Sequence, residues 1–164
     1  MTKYFYLVVV FCLAFNTNAQ DSLSKLLKHY NTKHIPYISV QELAMPKTNA
    51  IILDAREDVE FKTSHLKNAM YVGFNNFKID SVLKNIPDKD SKIVVYCSIG
   101  IRSETIASKL KKAGYSNVYN LYGGIFEWKN NNFPVYNLEG QETDSVHVFS
   151  EEWGKWLKKG HKVF

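Results

Sequence analysis

Short apolar runs alternate with helical patterns along most of this 164-residue chain. Four runs have the continuous apolar character of strands that are buried on both faces: Ala50–Asp54, Ala69–Val72, Lys92–Tyr96 and Asn117–Asn120. Helices are predicted at Gln41–Met45, Glu57–Lys62, Asp80–Asn85, Arg102–Ala113 and Gly124–Asn130. This alternation predicts an α/β fold with a central parallel sheet of about five strands and helices on both faces.

The N-terminus has the pattern of a secretory signal peptide. Residues 1–19 contain Lys3, an apolar stretch from Tyr4 to Phe15, and the sequence Asn-Thr-Asn-Ala before Gln20. The apolar stretch is too short to span a bilayer, and small residues precede the expected cleavage point. We therefore expect an exported protein, periplasmic or secreted, whose mature chain begins at Gln20. An uncleaved membrane anchor is the alternative.

The mature chain is the size of one domain and is long enough to bury a core. Without Lys3 it has 20 basic and 16 acidic residues, a formal charge of +4, and the positive charge is densest at Lys155–Lys162. This modest excess, with no nucleic-acid-binding motif, argues against a nucleic-acid partner and for mild attraction of small anions. Histidines and cysteines form no cluster at ligand spacing, so we expect no metal and no other cofactor.

Cys97 is the only cysteine expected in the mature chain, because Cys12 lies in the signal peptide. It ends an apolar run and precedes a short loop and a helical pattern, an arrangement that brings backbone N–H groups together and lowers the pKa of a thiol. A thiolate is a nucleophile, so the sequence predicts a catalytic cysteine; a small buried hydrophobe is the alternative. The predicted substrate-binding loop consists of Ser98, Ile99, Gly100, Ile101, Arg102 and Ser103.

Three blocks of sequence, in order, resemble the rhodanese domain, a sulfurtransferase family that also contains phosphatases. The first, residues 52–70, contains Asp54-Ala-Arg56 and the segment Ser64-His65-Leu, in which serine replaces the usual glycine. The second, residues 94–103, contains the Cys97 loop. The third, residues 118–135, contains Leu-Tyr-Gly-Gly-Ile-Phe-Glu-Trp and Phe-Pro-Val. The resemblance covers about residues 37–137 and implies the rhodanese-like fold.

The resemblance implies sulfur transfer by covalent catalysis. The Cys97 thiolate would take the outer sulfur of thiosulfate or a persulfide, hold it as a persulfide, and pass it to a thiol or cyanide. The loop amides would stabilise the persulfide anion, and Arg102 would meet an anionic donor. Arg102 is the fifth residue after the cysteine, whereas the family's phosphatases have their arginine at the sixth. The pocket is therefore expected to suit sulfur rather than a phosphoryl group.

Four residues of the first block are expected to support the loop. The resemblance implies that Asp54 and Arg56 fix each other, and that His65 anchors a turn rather than acting as a base. Glu60 is expected to pair with Arg102 and orient it, because a half-buried arginine needs a carboxylate. The equal alternative is that Glu60 is a solvated helix residue.

The predicted organisation is a signal peptide at 1–19, a helical lead-in at 20–36, a rhodanese-like domain at 37–137 and a C-terminal extension at 138–164. In the lead-in, an amphipathic helix is expected over Asp21–His34. The extension carries Trp153, Trp156 and Leu157 at helical spacing, and we expect this apolar stripe to pack against the domain. A contact with a partner or a membrane is the alternative.

Three functions remain open. The leading one is an exported sulfurtransferase of the thiosulfate:cyanide class. The main alternative is a persulfide carrier or sulfane-sulfur-binding module that serves a partner protein, since Ser98, Ile99 and Ile101 give a small dianion little to bind. A catalytically silent interaction domain is the third, and the retention of Cys97 and Arg102 argues against it.

Overall fold

The computed structural model describes residues 22–32 and 34–164, so the expected signal peptide, including Cys12, lies outside the described residues. The chain divides into two compact units, the first ending at Asn31 and the second running from Thr32 to Phe164. In the first unit a helix, α1, spans residues 22–30. It ends before the predicted His34 because Asn and Thr side chains compete for backbone hydrogen bonds and favour helix ends. No helix in these ranges is long and apolar enough to cross a membrane.

A five-stranded parallel sheet forms the centre of the second unit. Its strands are β1 (Tyr37–Ile38), β2 (Ile51–Asp54), β3 (Met70–Tyr71), β4 (Ile93–Tyr96) and β5 (Val118–Leu121). Their order across the sheet is β1-β5-β4-β2-β3, and every neighbouring pair is parallel. The predicted parallel sheet is confirmed. Strand β1 was not predicted, because its two residues are too few for a pattern.

Helices surround this sheet: α2 (Val40–Ala44), α3 (Asp58–Thr63), α4 (Ile79–Asn85), α5 (Arg102–Lys112) and α6 (Gly124–Asn130). All were predicted, and their ends differ from the prediction by at most one residue. The apolar face of α5 contributes Ile106, Ala107 and Leu110 to the core, where Leu53 and Val95 of the sheet also lie. All four residues of β4 are buried, which explains its uninterrupted apolar sequence.

Residues 135–163, the end of the domain and most of the extension, form two small sheets. Strand β6 (Val135–Tyr136) pairs antiparallel with β7 (Glu142–Thr143), and β8 (Ser145–His147) pairs parallel with β9 (His161–Val163). Strand β8 packs against α3, and the Lys129 ammonium of α6 lies 2.5 Å from the Asp144 carboxylate. The extension therefore contacts helices α3 and α6, which lie beside the loops of the central sheet.

The helix of the extension is shorter than the sequence pattern indicates. Helix α7 spans only Glu151–Gly154, so Trp156 and Leu157 lie beyond its end and the helical spacing of the three residues does not correspond to one helix. Glycine weakens a helix, and a Cβ atom at Gly154 would lie 3.2 Å from a methyl carbon of Val148. The segment after α7 is fixed to α6 by a hydrogen bond of 2.7 Å from the Lys158 amide to the Asn130 side chain.

The carboxyl ends of β2, β4 and β5 lie at one edge of the sheet, since these strands are parallel and adjacent. The loops that follow them carry Arg56, Cys97 and Gly124. Because β4 lies between the other two strands, its loop has a neighbour on each side. Ligands of open parallel sheets bind in such a crevice, outside the carboxyl ends of the strands.

Candidate functional site

Cys97 follows β4 directly and is almost completely buried, with 1% of its surface exposed. The loop turns around the sulfur: the Gly100 amide donates to Sγ at 3.1 Å, and the hydroxyl oxygen of Ser103 lies 3.5 Å from Sγ. Gly100 has a φ of 104°, a left-handed conformation that glycine adopts without a steric penalty. The predicted loop therefore closes around the thiol and directs donors at it.

The surroundings of Cys97 favour its thiolate. Burial by itself raises the pKa of this thiol, but the charge of Arg102, the hydroxyl and amide of Ser103, and the Gly100 amide outweigh burial. The net effect is a pKa below the ordinary value of a cysteine. The thiolate is the nucleophilic form, so the loop prepares Cys97 for attack on an electrophilic atom.

Alkylation of Cys97 by iodoacetamide should therefore show a midpoint at lower pH than alkylation of a free cysteine. Burial slows the absolute rate, so the midpoint of the rate against pH is the quantity to measure, by mass spectrometry of quenched samples. N-acetylcysteine under the same conditions provides the reference. A midpoint for Cys97 at or above that reference would contradict the stabilisation of the thiolate by the loop.

Glu60 and Arg102 form a bidentate pair beside the loop. Arg102 Nη1 donates to Glu60 Oε2 at 2.7 Å, and Nη2 donates to Oε1 at 2.7 Å. Ser98 joins the pair, because its hydroxyl accepts from Arg102 at 2.9 Å and donates to Glu60 at 3.0 Å. The Glu60 side chain is fully buried, whereas that of Arg102 is 20% exposed. The predicted pair is thus confirmed, and the alternative of a solvated Glu60 is wrong.

In this pair the Glu60 carboxylate balances the charge of Arg102 at the edge of the loop. Burial raises the pKa of Glu60, but hydrogen bonds and the charge of Arg102, together with the Glu57 amide at 2.9 Å, bring it below its ordinary value. Burial lowers the pKa of Arg102, and Glu60 more than compensates, so that the pKa of Arg102 is raised. Both groups are ionised at neutral pH. An anion at the loop therefore meets an arginine whose charge is already balanced.

Asp54 and Arg56 form a second, fully buried pair. Arg56 Nη2 donates to Asp54 Oδ2 at 2.7 Å and to the Ser64 carbonyl at 2.6 Å. The Tyr96 hydroxyl donates to the same Asp54 oxygen at 2.5 Å. Tyr96 immediately precedes Cys97, so this network fixes the end of β4 to the end of β2. As expected, the two residues fix each other and lie behind the loop.

His65 lies in the segment after α3. Its Nδ1 atom is 3.1 Å from the Phe61 carbonyl oxygen, and its ring stacks on that of Phe61 with centroids 4.2 Å apart. Its backbone exchanges two hydrogen bonds with Tyr136, each of 2.9 Å. These contacts tie the segment to β6, as a turn-anchoring residue does.

Asn120 belongs to the site, although it was predicted only as part of a strand. Its side chain is fully buried in β5 and accepts a hydrogen bond from the Ser103 hydroxyl at 2.7 Å. Its amide group donates to the Gly100 carbonyl at 2.8 Å and to the Glu104 carboxylate at 3.0 Å. Asn120 thereby holds the loop and the first turn of α5 together. An asparagine within an apolar strand is the available signal, because a buried amide requires partners.

The start of α6 supports the loop from the other side. The amides of Ile125 and Phe126 donate to the Cys97 and Ser98 carbonyls at 2.9 and 3.1 Å. Gly124 has a φ of 55°, and a Cβ atom at this position would lie 2.2 Å from the Cys97 carbonyl oxygen. Only glycine allows this close approach of the two backbones.

Replacement of Gly124 by alanine should therefore destabilise the protein and displace the Cys97 loop. We expect a loss of about 3 kcal/mol in the free energy of unfolding, from steric overlap added to left-handed strain. Gly140→Ala is the matched control, because Gly140 has a φ of 75° but no atom within 4 Å of the added Cβ. Chemical denaturation measures both variants. Equal losses would show that the contact with Cys97 does not constrain residue 124.

The fold and the site define a class of protein. A buried cysteine follows a central parallel strand and lies in a loop of hydrogen-bond donors that leads into a helix. Within the described ranges, no group of three or more acidic, histidine or cysteine side chains is placed to hold a metal ion. The rhodanese-like domain model matches residues 39–131, more than half of the chain, and the chain therefore belongs to the rhodanese-like domain family.

Curated relatives carry a different functional name from the one expected. A tRNA uridine(34) hydroxylase of Onion yellows phytoplasma (strain OY-M) is 37% identical over 97 residues, which cover 56% of this chain and 32% of the relative. A protein of the same name from Legionella pneumophila (strain Paris) is 35% identical over 111 residues, 65% of this chain and 43% of the relative. The chain thus spans about a third to two fifths of these relatives.

Solved structures with the same fold include a sulfurtransferase. The thiosulfate sulfurtransferase of Pseudomonas aeruginosa superimposes with a TM-score of 0.58 at 25% identity, covering 76% of this chain and 24% of that one. A rhodanese-related protein of Thermoplasma volcanium superimposes with a TM-score of 0.51 at 26% identity, covering 61% of this chain and 96% of that one. The matched part of this chain therefore accounts for nearly all of that rhodanese-related chain.

Proposed function

We propose that this protein is a sulfurtransferase that carries a sulfane sulfur as a persulfide on Cys97. The observation that supports this most directly is the environment of the thiol. The Gly100 amide lies 3.1 Å from Sγ, and the pKa of Cys97 is lowered despite burial. Family membership and the sulfurtransferase among the structural neighbours agree with this chemistry.

The reaction proceeds in two steps that share one intermediate. The Cys97 thiolate attacks the outer sulfur of thiosulfate, the donor S–S bond breaks, and sulfite leaves with the bonding electrons. Cys97 then carries one additional sulfur as a persulfide anion, which the amides and hydroxyl around Sγ stabilise. A thiol or cyanide attacks the outer sulfur, and the Cys97 thiolate is released. Two half-reactions of this kind give ping-pong kinetics.

The test is the intact mass of the purified protein before and after treatment with thiosulfate. The proposal requires a mass increase of one sulfur atom, located on the peptide that contains Cys97 and removed by reductant. Cyanide added to the treated protein should also remove it and release thiocyanate. A protein that gains no sulfur from thiosulfate or from a persulfide donor would overturn the proposal.

A persulfide carrier with little thiosulfate turnover is the second candidate. It is favoured because the guanidinium of Arg102 is already engaged by Glu60. Both terminal nitrogens of Arg102 already donate to Glu60. A small dianion therefore has the loop amides as its main partners. In this role a partner protein supplies or receives the sulfur.

Glu60→Gln separates the two candidates by kinetics. The substitution frees positive charge on Arg102 and loosens the loop, so we expect kcat to fall while the KM for thiosulfate also falls. The exposed Glu139→Gln is the control for loss of one carboxylate. An unchanged KM with a lower kcat would mean that the charge of Arg102 does not limit thiosulfate binding, which removes the argument for the carrier.

The proposal includes export of the protein. Residues 1–19 have the signal-peptide pattern, and cleavage after Ala19 would leave Cys97 as the single cysteine of the mature chain. Cell fractionation followed by N-terminal sequencing tests this. A protein that retains Met1 and remains in the cytoplasm would overturn the export part of the proposal and leave the sulfur chemistry intact.

The names of the curated relatives do not extend the proposal to tRNA. The matched region covers 32% of one such relative and 43% of another. The modest charge of the chain also offers little to a nucleic acid. The proposal therefore concerns sulfur transfer alone.

A further inference from the structure

Phe149 of the extension lies over the arginine of the candidate site. The centre of its ring is 5.6 Å from Cζ of Arg102, while 59% of the residue remains exposed. Phe149 lies outside residues 39–131, the part matched by the family. The contact is therefore made by this chain's extension, which brings an aromatic surface to the edge of the Cys97 loop.

The backbone holds Phe149 in an unusual conformation. Its φ is 66°, in the left-handed region that residues with a side chain rarely adopt. The Phe149 amide donates to Nδ1 of His147 at 3.1 Å, and the amides of the flanking Val148 and Ser150 donate to carbonyls at 2.9 and 2.7 Å. Strained residues persist only where their surroundings fix them, and they are concentrated at functional positions.

The charges near Phe149 do not favour a small dianion. Arg102 is balanced by Glu60, and Arg56 by Asp54. Burial lowers the pKa of His147, the nearby imidazole of β8, so this group adds no charge at neutral pH. One face of the Phe149 ring lies over a cation, and both faces of an aromatic ring carry negative partial charge. An organic group, in contrast, gains contact with the exposed part of the ring.

We propose that Phe149 determines donor specificity, favouring sulfane donors that carry an apolar organic group over the thiosulfate dianion. This inference rests on the proposed sulfur transfer through Cys97. The Cys97 thiolate attacks the terminal sulfur of an organic donor such as a thiosulfonate, R–SO2–S⁻. The S–S bond breaks, the sulfinate R–SO2⁻ leaves with the electron pair, and Cys97 keeps the sulfur as a persulfide anion. The organic group R remains outside the loop, beside Phe149.

Three donors with the same reactive sulfur test the proposal: thiosulfate, methanethiosulfonate and benzenethiosulfonate. The first is a dianion, the second a monoanion without a ring, and the third a monoanion with one. For each donor, kcat/KM is measured with cyanide as the acceptor. We expect Phe149→Ala to reduce the preference for benzenethiosulfonate over methanethiosulfonate by about fivefold, the effect of one lost aromatic contact. The KM for thiosulfate should fall in the same variant, since the ring no longer covers Arg102.

Two further variants separate the ring from other effects. Phe149→Gly also removes the ring but suits the positive φ, so it should show the same change in preference even if Phe149→Ala folds poorly. Leu138→Ala removes another exposed apolar side chain of the extension and should leave the preference unchanged. A benzenethiosulfonate preference that is equal in wild type and both Phe149 variants would overturn this inference alone. A wild-type protein that forms no Cys97 persulfide with any of the three donors would overturn the proposed function, and this inference with it.

Discussion

Cys97→Ser should abolish sulfur transfer and leave the fold intact. Serine has nearly the size of cysteine, and its oxygen can accept the hydrogen bond that the Gly100 amide directs at Sγ. It cannot hold a sulfane sulfur, because the covalent intermediate requires a thiolate. We expect turnover to fall by at least about a thousandfold, as when a covalent nucleophile is removed. The free energy of unfolding should change by about 1 kcal/mol or less.

The measurements are the rate of thiocyanate formation and a denaturation curve for each protein. Ser98→Ala serves as a control, because it removes a hydroxyl from the same loop but leaves the nucleophile. It should retain measurable turnover. If Cys97→Ser kept a rate comparable to that of the wild type, Cys97 would not be the sulfur carrier and the enzymatic proposal would be lost.

Asp54→Ala should cause the largest loss of stability among single substitutions at the site. Asp54 and Arg56 are both fully buried, so the variant leaves a buried guanidinium without its carboxylate. Removal of one partner from a buried pair costs about 3–5 kcal/mol. The Tyr96 hydroxyl also loses its acceptor, one residue before Cys97. We therefore expect sulfur transfer to fall together with stability.

Asp58→Ala is the matched control, since Asp58 forms a surface pair with Lys62 at 2.6 Å in which more than half of each side chain is exposed. Its cost should be much smaller, because exposed ion pairs contribute little to stability. Asp54→Asn keeps the shape of the side chain and provides a measurement if Asp54→Ala does not fold. Its loss in the free energy of unfolding should lie between those of Asp54→Ala and Asp58→Ala. Similar unfolding free energies for Asp54→Ala and Asp58→Ala would contradict the structural role of the buried pair.

The central fold was accessible from the sequence because its signals are local. Strand β4 is apolar throughout, and the helical pattern of α5 follows its loop directly. Strand β1 lacks such a signal: its two residues acquire a strand conformation through pairing with β5, far away in the sequence. In the extension, the apolar spacing around Trp153 indicates a longer helix than the one that forms. There the pairing of β8 with β9 and the close packing of Gly154 on Val148 outweigh local preference.

In the candidate site, too, local sequence signals could be predicted, whereas contacts between distant segments could not. Cys97, Gly100 and Arg102 were predicted because they lie within one short stretch of sequence between an apolar run and a helical pattern. Asn120 and Phe149 were not, because their contacts with the loop exist only after β5 and the extension have packed against it. Phenylalanine carries no distinctive signal by its type. An asparagine within an apolar strand indicates that its amide needs partners, but not which residues those partners are.

The burial of Cys97 has a consequence for how the protein withstands oxidation. A disulfide requires two sulfur atoms about 2 Å apart with Cα atoms roughly 4–7 Å apart. A cysteine that is 1% exposed at the base of a loop cannot approach the same residue of a second molecule so closely. Bulky disulfides such as oxidised glutathione are excluded from contact with the Cys97 sulfur for the same reason. The terminal sulfur of a small sulfane donor is much smaller and can reach it. The fold therefore protects the thiol of Cys97, the free cysteine of the described residues, from covalent dimerisation and mixed disulfides by shape.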